Sequence, residues 1–225
     1  MKFIGALYGI TAFRESVEEY APDAWPSFQE TVDLVRKTYN FVSCPVVAPG
    51  APLPPVQVYS GGKFENDGHS FAITQLVMAT DGDIAVAGNT NHAEIFLDHL
   101  VNLLNKEFGY KIQTENLAKS YRSDLVVEFE KSLEEANPII SKIQSIVQIY
   151  GTKRRNPRYL TRINFAENIG VTVASAVDGV ENTEFLIERR AGHPMEANRY
   201  YSSAPMKTED HILALEEIEK ALLTL

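Results

Sequence analysis

Arginine, tyrosine and histidine crowd into one late stretch of this sequence, Glu188-Arg189-Arg190-Ala191-Gly192-His193-Pro194-Met195 followed by Asn198-Arg199-Tyr200-Tyr201-Ser202-Ser203. Planar guanidinium donors and phenols around a Gly/Pro turn suit two tasks: holding a carboxylate or phosphate, and anchoring a protein interface. Arg189, Arg190, His193, Arg199, Tyr200 and Tyr201 are therefore the candidate partner- or ligand-binding residues. A plain edge hairpin would carry the same residues. A second concentration, Lys153, Arg154, Arg155, Arg158 and Arg162, gathers five of the 21 basic residues within ten positions. Arg154, Arg155, Arg158 and Arg162 form the candidate anion-binding group, and on a strand Arg158, Arg162 and Asn164 would share one face. The competing reading is a solvated loop and edge strand whose charges discourage edge-to-edge pairing.

Recognisable proton-transfer, nucleophile and metal patterns are missing. Ser60-Gly61-Gly62-Lys63 has Gln57 where a phosphate-binding P-loop needs glycine and Phe64 where it needs Ser or Thr, so it reads as a turn or bulge. One cysteine, Cys44, excludes a disulfide framework and any zinc site built on two cysteines of this chain. His92-Ala93-Glu94 lacks the P-C-x-x-C partner of a zinc deaminase. His92 and His99 would fall on one side of a helix with Glu94 and Asp98, where capping and a polar face compete with a metal pair. His211, opening the last helix beside Asp210, could be a pH-sensitive contact, but a surface residue is the plainer reading. No catalytic residue, cofactor or metal is expected.

The elements that must position these residues follow from periodicity. Met1 to Phe13 has one charge before an apolar stretch, as a short signal peptide would, but its two glycines and Tyr8 suit a buried strand, and Arg14-Glu15 follow at once. Ser27 and Glu30 predict a capping box for a helix over 27–37. Phe41 to Val47 is β-prone around Pro45, and the four prolines in 48–55 predict a stiff connection. Val56 to Phe64, Ser70 to Thr80 and Ile84 to Val86 predict an antiparallel meander turning at Asp67-Gly68 and Asp81-Gly82. Asn91 with Glu94 predicts the start of a helix reaching Phe108-Gly109. Leu125 to Phe129 alternates as a strand, Asn137-Pro138 opens a helix to Gly151, four strands fall between 158 and 203, and Thr208 caps a helix carrying Ile212, Leu215, Ile218 and Leu222.

In order, the chain gives helix, about four strands and helix, a connecting strand, and the same again. This predicts a single α+β domain over 1–225, with a predominantly antiparallel curved sheet backed by long helices. Pseudo-repeat halves at 23–109 and 132–225 are one reading. Thr90 to Asn105 matches Thr208 to Leu223 without a gap, pairing Leu97 with Leu215 and Leu100 with Ile218, although any two amphipathic helices share that period. A duplicated α-β4-α unit resembles, in element order alone, the saddle of TATA-binding proteins. The resemblance implies two half-sheets joined as one, with an exposed concave face for a peptide, a second copy or a ligand.

Charge then separates the function classes. With 21 basic and 30 acidic residues the formal charge is −9, which opposes indiscriminate binding to nucleic acid or anionic lipid and removes the charge a DNA saddle uses. The expected function is a non-catalytic binding or assembly protein that engages a protein partner, itself included, through an Arg/Tyr-rich sheet surface. One alternative is a sensor or enzyme for a phosphorylated or nucleotide-like molecule, its arginines holding the anion and His193 or His211 moving protons. The other is nucleic-acid binding through the local basic cluster. A cytoplasmic location without membrane association is expected.

Overall fold

The computed structural model describes residues 1–14, 26–46, 54–79, 82–114, 117–133, 162–166, 184–190 and 192–224. The expected helix over 137–151, the expected strand at 171–177, most of the proline-rich segment, and Arg154, Arg155 and Arg158 lie outside the described residues. The fold is α+β with a predominantly antiparallel sheet, and it divides into two compact units. One comprises 8–122 with 170–182. The other comprises 1–7, 123–169 and 183–225.

The central unit holds α1 (Phe28–Tyr39), β2 (Val56–Asn66), β3 (His69–Ala79), β4 (Asp83–Ala87), α2 (Thr90–Phe108), and parts of β1 (Lys2–Arg14) and β5 (Ala118–Glu128). Strand order is β2-β3-β4-β1. The β2–β3 hairpin turns on Asp67 and Gly68, whose φ values of 48° and 81° match the twist of the flanking strands. Register pairs Phe64 with Phe71 and Leu76 with Val86. Both helices pack against a core containing Tyr39, Tyr59, Phe64, Leu76, Phe96 and Leu100. Gly61, with φ +70°, lies where the buried positions of β2 change parity from Tyr59 to Phe64, the bulge-like kink its sequence predicts.

Helix starts show where local chemistry decides. The Ser27/Glu30 capping box forms as expected: Glu30 N–H donates to Ser27 Oγ at 3.2 Å and Ser27 N–H to Glu30 Oε2 at 2.7 Å. For α2 the cap is Asn89 rather than Asn91, because Asn89 Oδ1 accepts the N–H groups of both Asn91 and His92. Of the expected strand from Phe41 to Val47, the described residues 41–46 form none. Their only bridge joins Ser43 to Ser60, and Pro45 has no N–H to continue a ladder.

The second unit orders its strands β1-β5-β8-β7-β6, with β6 at Arg162–Ala166, β7 at Glu184–Arg189 and β8 at Arg199–Ala204. Met195–Ala197 forms a 3-10 turn before β8. Helix α3 (Thr208–Leu223) begins on Lys207, with no side-chain cap rather than one from Thr208. Leu215 meets Leu125, Val127, Phe129, Ile187 and Tyr200 in this unit's core.

Candidate interaction surface

Antiparallel partners point to the same side of a sheet, so register sorts the late arginines and tyrosines. Arg189 pairs with Tyr200 and Ile187 with Ser202, and these belong to the face that carries the core. Glu188 pairs with Tyr201 and Glu128 with Arg199, which puts these on the opposite face. The expected docking residues are thus divided, and Arg189 and Arg199 do not converge on one anion.

Tyr200 is a core residue. Its phenol oxygen accepts the Leu133 N–H at 3.0 Å, its ring lies 5.2 Å from Phe129, and the Arg189 guanidinium covers it at 5.0 Å from the centroid. A buried tyrosine with a satisfied hydroxyl stabilises the fold and offers nothing to a partner. Arg199 is half-buried and its Nε donates to Glu128 Oε2 at 3.2 Å. Tyr201 stands beside it on the strand, half-buried. His193 is exposed in the turn, and the Arg190 N–H donates to Arg199 O at 3.0 Å, closing that turn. Arg162 and Asn164 both lie in β6 in register with the Glu188 and Leu186 side of β7.

The sequence misplaces two features. The first half of β1, expected to be buried, is exposed: Phe3 at 45%, Ile4 at 38% and Leu7 at 52%. Alternation puts Phe3 and Leu7 on one face and Ile4 on the other. Apolar residues at both parities signal a strand covered on both sides, so pattern alone could not separate it from a strand awaiting a partner. His211, expected at the surface, is 0% exposed. Its Nε2 lies 2.8 Å from Ser202 Oγ, and that hydroxyl donates to Leu186 O at 2.7 Å. Burial pushes the imidazole down to about 4, against the opposing pull of the Asp124 charge and the Ser123 main chain. A second buried hydroxyl, Ser203 Oγ, donates to Asp124 Oδ1 at 2.7 Å on the other face.

The conceivable metal pair is occupied by packing. His92 stacks on Phe71 at 4.6 Å and His99 Nδ1 meets Tyr39 OH at 2.8 Å. Glu94 instead accepts from Lys119 Nζ at 3.0 Å and Tyr121 OH at 3.1 Å. Among the described residues no cluster of three or more His, Cys, Asp or Glu could hold a metal ion. The Cys44 thiol lies 3.9 Å from Phe41 O and is pushed up by burial, a poor setting for a nucleophile.

No family model matches this chain, and no curated protein matches it. Among solved structures it is similar to Methanococcus jannaschii TBP, at 10% identity over 98% of each chain, with a TM-score of 0.45. Residue roles rest on this chain's own side chains. No helix among the described residues is long and apolar enough to cross a membrane.

Proposed function

We propose that this chain is a non-catalytic binding or assembly protein that engages a protein partner, a second copy of itself included, through the sheet of the unit containing β5 to β8. The observation that carries this reading is the exposure of Phe3, Ile4 and Leu7 within one regular strand. Large apolar side chains clustered in a strand at the surface mark interaction sites, and covering them removes area worth about 25 cal/mol per Å². Tyr201 and the Arg199–Glu128 pair, on the sheet face opposite this unit's core, add polar, half-buried groups to the proposed surface. The arginines give an anion site less support, because Arg189 and Arg199 lie on opposite faces and each already has a partner within the chain.

Light scattering coupled to size-exclusion, over a concentration series, tests the assembly arm. The intact chain should form a discrete oligomer, and Leu7→Lys with Phe3→Ser should leave a folded monomer. A wild-type monomer at every concentration, combined with no protein captured by the wild type that the variant fails to capture, would refute the proposal.

A further inference from the structure

The hydrogen bonds around His211 fix its proton. Ser202 has one hydroxyl hydrogen and gives it to Leu186 O, so Ser202 Oγ can only accept from the imidazole, and Nε2 carries the ring proton. Nδ1 is left as a lone pair, fully buried and without a hydrogen-bond partner, and Ser123 Oγ, on the same face of β5, is buried and unpartnered as well. We infer that the Ser202–His211 contact is an acid-sensitive latch on α3: a proton taken from solvent at Nδ1 creates a buried cation that is relieved by lifting the first turns of α3 from the sheet.

Each described element packed on His211 bears on that proton. From α3 itself, His211 lies in the first turns, where unpaired N–H groups repel a cation, and its own N–H donates to Lys207 O at 2.9 Å. Glu209 and Asp210 on the same turn are exposed to solvent. From β7, Phe185 sets its ring edge-on at 5.3 Å and offers no charge. From β8 comes the committed Ser202 hydroxyl. From β5, the Asp124 charge and the Ser123 main chain both favour the imidazolium, but the Asp124 carboxylate is engaged by Ser203 on the far face. Desolvation outweighs that attraction and holds the closed form neutral. At the other end of α3, Glu219 accepts the Glu130 N–H at 2.8 Å and pairs with the Met1 ammonium, so that end is anchored by a separate ionisable group.

Hydrogen exchange of α3 amides in the full chain, followed by mass spectrometry from pH 7.5 to 4.5 and corrected for the intrinsic rate, tests the latch. The opening constant should rise by up to ~10-fold per pH unit below about 6.5, because the open form binds one proton more. His211→Gln, whose amide can still donate to Ser202, should flatten that dependence, whereas Glu219→Gln should keep it. Equal pH dependence in wild type and His211→Gln overturns the inference. Should His211→Gln not fold, an NMR titration of the wild-type imidazole decides: a ring that stays neutral until α3 loses protection supports the latch, and one that titrates near 6.5 with α3 fully protected overturns it.

Discussion

Gly62 lies directly under the Phe41 ring: a Cβ built on this glycine would come within 2.5 Å of Phe41 Cε1. Phe41 follows α1 and packs at 5.5 Å on Tyr59, so the bare backbone at Gly62 lets the α1 connection lie flat on β2. Gly62→Ala should cost about 1–3 kcal/mol in urea denaturation. Gly5→Ala, which meets nothing within 4 Å, should change stability little. Equal effects at both sites would mean that the Phe41 contact does not constrain β2.

Asn105 binds the loop after α2 as another strand would, giving Nδ2–H to Ile112 O at 2.8 Å and taking Ile112 N–H on Oδ1 at 3.0 Å. Asn105→Ala should cost about 1–3 kcal/mol, since both main-chain groups of a buried residue lose their partner. Asn105→Asp keeps only the acceptor and should also destabilise. Thermal unfolding of the three proteins at one pH checks the order.

Arg199 and Glu128 form a half-exposed cross-strand ion pair, and such pairs contribute about 0.2–1 kcal/mol. A double-mutant cycle with Arg199→Ala and Glu128→Ala should return a coupling in that range. If the proposed surface is right, the same Arg199→Ala variant should weaken association by more than its small stability change explains, read by light scattering at matched concentration.

Global stability should fall as the solution is acidified from about 6.5 toward 4. The folded imidazole of His211 is depressed to about 4 from 6.5, so in that window the unfolded chain binds the extra proton. The contribution is complete above the unfolded value and is lost as pH falls, with a full span on the order of 3 kcal/mol. Urea midpoints of wild type minus His211→Gln at pH 7.5 and 5 should show this as a difference that shrinks on acidification.

Legibility from sequence followed the range of the interaction. The Ser27/Glu30 box and the Asp67-Gly68 turn are decided within four residues, and both were readable. The α2 cap lies two positions before the expected one because Asn89 and Asn91 are chemically equivalent as caps, and Asn89 accepts the Asn91 and His92 N–H groups. Arg199 and Tyr200 are adjacent and look alike as interface residues. Only the register of β8 against β7 and β5 turns one to the outside and the other to Leu133. His211 looks like a surface residue in the sequence because a polar side chain in a helix's first turn is ordinary there. Its burial depends on Ser202 and Phe185 from two other strands, a relation that no local pattern carries.

The division of the chain between its two units sets an order on synthesis. Residues 1–7 leave the ribosome well before 123–128 and 199–223, the segments with which they form a unit, and Met1 must wait for Glu219. Strands β2 to β4 and both helices of the other unit are complete by residue 108. Folding during translation is therefore expected to start in the segment that ends at residue 108 and to reach the unit of 1–7, 123–169 and 183–225 later.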